Sequence, residues 1–270
     1  MIRTSVNFRA LALFGIMGLA ARGGAAQRGL NWKLPPGTAI PVEFSHAVNA
    51  DKAKRGDLIE ARTMQVIHLG QGHDLPKGTL VLGRIIMSRP VRRDVSASVL
   101  SFRLDQIVAR SGVIGVRLYV RALANFRDSY EAGFPTPPPD MNLSDTRTLI
   151  GGDQVTPSEH KVYTSAGDED GDVVGEYRKG GVFERLRAAR ASNGASALVC
   201  DGTSTEQSVA IFSGSACGLY GFDAVNLVHT GKQSKGVIEL DSRHYTVKLY
   251  SMSTALLQVA PEQDGPDPQS

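Results

Sequence analysis

Cysteine is scarce in this sequence: its 270 residues include two, Cys200 and Cys217. Their spacing matches no metal-binding signature, so a single disulfide is the expected state, with a thiol nucleophile or a metal pair as the alternative. Closing a loop of this size stabilises a folded protein by about 3 kcal/mol through lost chain entropy. Such a bridge would fasten one region and would not hold the whole fold together.

Long hydrophobic runs are also scarce, and the one that stands out is Ala10–Ala21, which follows Arg3 and Arg9. A helix of this length reaches about 18 Å, which is too short for a hydrocarbon core of about 30 Å. The arginines, the apolar run and the small residues before Gln27 are together typical of a secretory signal peptide. We therefore predict a signal peptide over residues 1–26. The mature protein is then secreted or periplasmic, without a transmembrane anchor.

An excess of basic charge is absent once that segment is removed. Residues 1–26 contain three of the 30 basic residues and none of the 27 acidic ones, so the remaining chain carries 27 of each. A formally neutral protein has no general electrostatic attraction to a polyanion. We therefore expect no nucleic-acid partner and no affinity for an anionic membrane surface.

The sequence does contain the pattern of a β protein. Its composition, with 41% hydrophobic residues, 29 glycines and 13 prolines, excludes collagen, coiled coils and bulk disorder. Alternation of apolar and polar residues predicts strands in the first half at 39–45, 58–68, 80–87, 95–108 and 113–123. In the last of these, Arg117, Tyr119 and Arg121 alternate with apolar residues, which predicts one buried and one solvated face.

The changes of composition along the chain predict a mainly β fold, with a small barrel or sandwich followed by a second β-rich part. The barrel or sandwich module covers residues 27–124, and a linker or long loop rich in proline and glycine covers 125–157. A second β-rich domain with the one disulfide follows at 158–260. Residues 261–270 are acidic and contain proline, and we expect a disordered tail there.

Two turns of related sequence, LPPGT at 34–38 and LPKGT at 75–79, each lead into a predicted strand. Proline and glycine suit a tight turn and threonine suits a strand start, so both turns are expected to enter one sheet system. Together with AKRGDLIEAR at 53–62, they resemble a module of exported bacterial proteins and are similar to part of the β-barrel of TrbI-like conjugation channel components. The resemblance covers residues 34–86, about a fifth of the chain, and implies a barrel.

The second half resembles secreted bacterial β-rich proteins that carry the same first module. The stretches that support this resemblance are DEDGDVVGEYRKGG at 168–181 and ACGLYGF at 216–222. It implies no particular activity, so no catalytic or binding residue is carried over from it.

An acidic run contains the densest set of oxygen ligands, with Asp168, Asp170 and Asp172 at alternate positions. Calcium takes six to eight oxygen ligands, so the run is a candidate calcium site. It is not an EF-hand loop, because the twelfth position is Lys179 and not a bidentate glutamate. The alternatives are a solvated acidic turn and a hydrolase that uses Asp168, Asp170 and Glu176 as its carboxyl groups.

Residues 217–222 combine a cysteine with two glycines and two aromatic rings, Tyr220 and Phe222. A loop held rigid by a disulfide could present both rings as a binding site for a partner. The alternative is a bend that buries both rings in the core, since a β domain needs aromatic residues there.

These observations favour an exported, non-enzymatic binding or structural module of the cell envelope or the extracellular space, whose partner is a protein or a glycan. One alternative is a secreted hydrolase that uses the acidic run. Another is a periplasmic component of a conjugation- or secretion-type assembly, held through an exposed strand edge. Calcium is a candidate cofactor for the acidic run, and no other cofactor is expected.

Overall fold

The computed structural model describes residues 33–69, 74–92, 96–133, 146–157, 160–164, 172–186, 200, 205–228 and 236–260. The predicted signal peptide and the predicted C-terminal tail lie outside these residues.

Within the described residues the chain forms twenty strands and one short helix, α1 (Phe126–Ala132), so the predicted mainly β fold class is confirmed. In chain order the strands are β1 (Ala39–Phe44), β2 (Val48–Asn49), β3 (Leu58–Thr63), β4 (Ile67–His68), β5 (Asp74–Leu75), β6 (Leu80–Arg89), β7 (Ser98–Ala109), β8 (Gly112–Gly115), β9 (Leu118–Ala124), β10 (Arg147–Thr148), β11 (Gln154–Pro157), β12 (Lys161–Thr164), β13 (Val173–Arg178), β14 (Gly181–Arg185), β15 (Glu206–Ser208), β16 (Gly218–Tyr220), β17 (Asn226–Leu227), β18 (Val237–Ser242), β19 (Lys248–Leu249) and β20 (Thr254–Val259). In this part of the chain there is no helix with the length and apolar character needed to cross a bilayer.

Ten strands form one sheet that curves into a nearly closed barrel. Its order is β16-β9-β20-β1-β3-β6-β7-β18-β17, and β8 pairs with β7 beside this path. The pairings along the order are antiparallel apart from the parallel pair of β16 and β9. The two ends of the order come together, since β16 contacts β17 and β18 contacts β9. Of the two predicted arrangements, a barrel or a sandwich, the structure therefore has the barrel.

Both turns of the LPxGT type enter this sheet, as predicted. Gly37 and Gly78 each have a φ of +80°, which residues with a Cβ resist. Thr38 donates its hydroxyl to the carbonyl of Pro35 at 2.7 Å, and Thr79 bonds to its own turn proline in the same way at 2.6 Å. The first turn leads into β1 and the second into β6, so the two turns are equivalent entries into one barrel.

The barrel interior is an apolar cluster formed by alternate residues of the strands. Phe44 and Phe102 are fully buried in it, and their rings meet edge to face with centroids 6.1 Å apart. Burying a side chain of this size contributes about 1.5–3 kcal/mol, so the interior supplies much of the folding free energy.

A second sheet of six strands, in the order β10-β11-β12-β13-β14-β15, packs outside the barrel. Its own buried cluster is small and consists of Leu149, Val155 and Val162. The amide of Ala39 in β1 donates to the Gln207 side chain at 2.9 Å, and the Gln65 side chain donates to the carbonyl of Val182 at 3.0 Å. These contacts connect the small sheet to the barrel at two places.

Strands from both sides of the predicted linker share the barrel. The sheet takes six strands from residues 27–124, which are β1, β3, β6, β7, β8 and β9, and four from residues 158–260, which are β16, β17, β18 and β20. Strand β20 lies between β9 and β1. The predicted linker, 125–157, begins with α1 and ends with β10 and β11. Alternation identifies a strand but not the sheet that it joins, so the sequence does not show this arrangement.

Candidate functional site

The outer face of β9 is covered, which corrects the prediction that it is solvated. Leu256 and Leu257 of β20 pair with Ala122 and Val120, so Arg121 is the extra residue of a β-bulge. A bulge changes the direction of the side chain that it carries. Arg121 is 0% exposed, and it lies under residues 214–216 of the second half.

Arg121 holds that second-half segment by its backbone. Its guanidinium donates to the carbonyls of Ala216, at 3.1 Å, and Gly214, at 3.2 Å. The amide of Gly214 in turn donates to Glu184 of β14 at 2.8 Å. A side chain on Gly214 would meet the carbonyl of Arg185 at 2.5 Å, so only glycine fits between the barrel and the small sheet here.

The predicted disulfide between Cys200 and Cys217 is confirmed, with the two Cα atoms 5.3 Å apart. Cys217 directly precedes β16, which pairs with β9 from Gly218 to Tyr220. The bridge and the Arg121 bonds therefore fix the start of β16, and with it the position of the turn that follows.

The two aromatic residues predicted as contacts, Tyr220 and Phe222, are packed against the protein. Phe222 is buried in the barrel cluster, and Tyr220 is half-buried beside β9. The Tyr220 hydroxyl accepts a hydrogen bond from the amide of Cys217 at 3.0 Å. The rings therefore support the turn at 220–223, and the more exposed aromatic rings lie next to it.

The turn fits against the start of α1. Asn125 accepts a bond from the amide of Asp128 at 2.9 Å, and its side-chain amide donates to the carbonyl of Gly221. Gly221 has a φ of +68°, and a Cβ there would lie 2.1 Å from a carboxylate oxygen of Asp128. Glycine is therefore required at this position for both conformation and space.

A depression of about 580 Å³ opens beside this turn, and we call it the aromatic groove. Its lining residues are Asn125, Phe126, Arg127, Asp128, Gly221, Phe222, Asp223, Val225, Tyr245, Thr246, Lys248 and Tyr250. Three of its rings are exposed: Phe126 by 46%, Tyr245 by 64% and Tyr250 by 40%. Contiguous exposed apolar surface in a depression marks an interaction site more strongly than single exposed residues do.

Two of these rings are in contact. The centroids of Phe126 and Tyr250 are 5.6 Å apart, and the Nζ atom of Lys248 lies 4.3 Å from the centroid of Tyr250. A cation at this distance is attracted to the negative face of the ring. The contacts limit the freedom of Tyr250, so less side-chain entropy would be lost when a ligand orders it.

The framework around the groove holds these rings from two sides. The Ser129 hydroxyl of α1 lies 2.8 Å from that of Thr254, which ties the helix to the beginning of β20. On the other side, the Ser242 hydroxyl accepts the amides of His244 and Tyr245 at 3.2 and 3.1 Å. The groove is therefore built on the barrel rim and not on a free loop.

One carboxyl group of the groove is electrostatically perturbed. Burial raises the pKa of the Asp128 carboxyl above its ordinary value of 3.8, and the charges of Glu131 and Asp223 act in the same direction, while that of Arg127 opposes them. Among the lining residues the two acids, Asp128 and Asp223, are matched by two bases, Arg127 and Lys248. The groove as a whole is therefore close to neutral.

The predicted acidic site is only partly described by the structure. Asp168 and Asp170 lie outside the described residues, and Asp172 is exposed, with its carbonyl accepting the Thr164 amide at 2.8 Å. Glu176 lies on the small sheet and pairs with Arg178 at 3.1 Å. No group of three or more potential metal ligands occurs in the part of the chain that the structure describes.

Sequence reasoning missed Phe126, Tyr245 and Tyr250 as members of one site. Phe126 and Tyr245 are more than a hundred residues apart in the chain, and each stands alone among polar residues. Residues 245–250 alternate as a strand does, and Phe126 stands between polar residues, so neither stretch carries a local signal of a binding site. The barrel brings them together because β20 pairs beside β9.

No family model, curated protein or solved structure matches this chain. The geometry and chemistry of the groove are therefore the basis for assigning a function.

Proposed function

We propose that the protein is an exported, non-enzymatic binding module of the cell envelope or the extracellular space, and that it holds its partner in the aromatic groove. The observation that carries the proposal is the convergence of three exposed rings, Phe126, Tyr245 and Tyr250, on one depression. Large aromatic side chains dominate the energy of binding sites because they bury much area with few rotatable bonds.

Export is supported by two features of the chain. Residues 1–26 have the arginines, apolar run and small residues of a signal peptide. The bridge between Cys200 and Cys217 is of a kind that persists in oxidising compartments such as the periplasm and the medium.

A binding role is supported by how the polar groups of the groove are used. Asn125 is engaged in the cap of α1 and Lys248 lies over the Tyr250 ring, so both serve to hold the surface in shape. A preformed and rigid surface loses little entropy when a partner binds.

The test is co-sedimentation of the mature protein with the insoluble envelope fraction of the cells that produce it. Replacing Tyr245 and Tyr250 together by alanine should lower the apparent affinity at least about tenfold, because central aromatic contacts each contribute about 2 kcal/mol or more. Tyr177→Ala is the matched control, since Tyr177 is 37% exposed and lies on β13, away from the groove.

Thermal unfolding of both variants should stay close to that of the parent, because the replaced rings are exposed. Equal sedimentation of the parent and the double variant would show that the groove is not the binding site.

A further inference from the structure

The ring faces of the groove match the apolar faces of sugar rings. The C–H groups of a pyranose carry partial positive charge on a flat apolar surface, and an aromatic face is flat and negative. Phe126, Tyr245 and Tyr250 are exposed in one depression, where part of each ring is accessible to a sugar. Rings of this kind hold a sugar without requiring any charge on it.

The charge of the lining favours a neutral ligand. Two acids and two bases line the groove, and the adjoining depression adds one acid, Glu131, so a polyanion gains no net attraction along this surface. The ammonium of Lys248 is moreover already placed over Tyr250, at 4.3 Å from the ring centroid. A cationic ligand group would have to compete with it for that ring.

The polar side chains between the rings suit hydroxyl groups. Asp128 and Asp223 offer carboxylate oxygens that each accept several hydrogen bonds, and Thr246 offers a hydroxyl that both donates and accepts. Adjacent hydroxyl groups of a sugar supply the matching donors and acceptors. A ligand rich in hydroxyls can therefore pair with these groups while its carbon face lies on the rings.

The surface is long enough for more than one sugar unit. A second depression of about 590 Å³ adjoins the groove, because Asp128 and Gly221 line both. Thr148, Glu131 and Tyr220 lie along this continuation. Two depressions joined at one point suit an extended chain better than a compact small molecule.

We infer that the ligand of the aromatic groove is a neutral polysaccharide, which lies with sugar faces on Phe126, Tyr245 and Tyr250 and extends past Asp128 and Gly221. The inference rests on the proposed function, since it names the ligand of the same site.

The experiment is native affinity electrophoresis of the mature protein in gels that contain one soluble polysaccharide each. The neutral probes are xylan, dextran, mixed-linkage β-glucan and hydroxyethyl cellulose, and alginate serves as the anionic comparison. At least one neutral probe should retard the protein, with a dissociation constant that rises at least about tenfold in the Tyr245→Ala/Tyr250→Ala variant. Phe126→Ala should weaken the same interaction, and Tyr177→Ala should not.

Three results would overturn the inference: retardation by none of the neutral probes, retardation by alginate alone, or equal retardation of the parent and the double variant. Phe126→Ala keeps the test decisive if the double variant unfolds, because it truncates a ring of α1 and leaves Tyr245 and Tyr250 in place.

Treatment of the envelope fraction separates this inference from the proposed function. Periodate cleaves the vicinal diols of sugars and should abolish groove-dependent sedimentation, whereas protease should leave it intact. If protease abolishes it and periodate does not, the partner is a protein, and the polysaccharide inference fails while the binding function stands. If sedimentation does not depend on the groove at all, both fail.

Discussion

The barrel and the six-stranded sheet are both β structures, yet they are stabilised in different ways. The barrel encloses a continuous apolar interior in which Phe44 and Phe102 are fully buried. The small sheet has a buried apolar cluster of its own with three members, and it covers the barrel with one edge and its connecting segments. An isolated sheet with so small a core is marginal in water. The small sheet therefore depends on the barrel, whereas the barrel has a core of its own.

The junction between the two regions combines small apolar residues with buried polar groups. On the barrel side Ala122 and Ala124 let the segment that carries Phe212 approach closely. Arg121 and Glu184 are the two buried charged side chains among the described residues, and both bind Gly214 in this junction. The buried charged side chains thus lie where the two regions meet, and not inside the barrel.

The largest expected effect comes from truncating one phenylalanine in each region. Phe102→Ala should lower the free energy of unfolding by about 3–5 kcal/mol, because it removes a fully buried ring and leaves a cavity. Phe183→Ala in β14 should cost less, about 2–3 kcal/mol, since Phe183 is buried against the His68 ring but lies outside the barrel cluster. Equilibrium urea unfolding of both variants measures the difference, and equal losses would contradict the contrast between the regions.

An intermediate effect is expected at the junction. Arg121→Met removes the donors to the carbonyls of Gly214 and Ala216, and a buried carbonyl without a donor costs about 1–3 kcal/mol. We expect a loss of about 2–3 kcal/mol by the same urea measurement. Arg62→Met is the control, because the Arg62 side chain is 55% exposed. A loss no greater than that of the control would mean that the guanidinium does not fasten the two regions.

The smallest effect is electrostatic and lies on the rim of the barrel. The pKa of Asp128 is raised in the folded protein, so the folded state holds this proton to a higher pH than the unfolded chain does. The free energy of unfolding therefore falls as the pH rises from about 3.8 through the folded pKa, and is then constant. Asp128→Asn removes the cost of ionising a partly buried carboxyl group. The variant should therefore be more stable at pH 7, by less than about 1 kcal/mol.

Unfolding curves at pH 7 and pH 3 test this prediction. The stabilisation by Asp128→Asn should be absent at pH 3, where the carboxyl group is protonated in both the folded and the unfolded protein. Asp172→Asn, at an exposed site next to β13, is the matched control. A gain of equal size at both pH values would contradict the electrostatic origin.

The strands of the first half were largely predictable from the sequence. The predicted strands at 39–45 and 80–87 correspond to β1 and β6, because each has one face in the barrel and one face outside. The stretch at 113–123 instead divides into β8 and β9, which pair with different neighbours. Local alternation shows which residues of a strand face the interior and which face outward. It does not show where one strand ends and the next begins to pair with a different neighbour.

The covered face of β9 and the aromatic groove could not be predicted in this way. Arg121 has the spacing of a solvated residue, and its burial is produced by residues 214–216, some 90 positions later in the chain. The groove likewise joins Phe126 to Tyr250 across more than a hundred residues. Both depend on long-range pairing, which single-sequence patterns do not contain. The disulfide was predictable, because the sequence has two cysteines and one possible pair.

The position of β20 determines the order in which this protein can fold. This strand, Thr254–Val259, lies between β1 and β9, so each of these neighbours has an open edge until β20 is synthesised. Pairing across more than 200 residues has a high contact order and is slow to form. During synthesis the chain must therefore wait with two open strand edges, and termination before β20 would leave these edges exposed to aggregation.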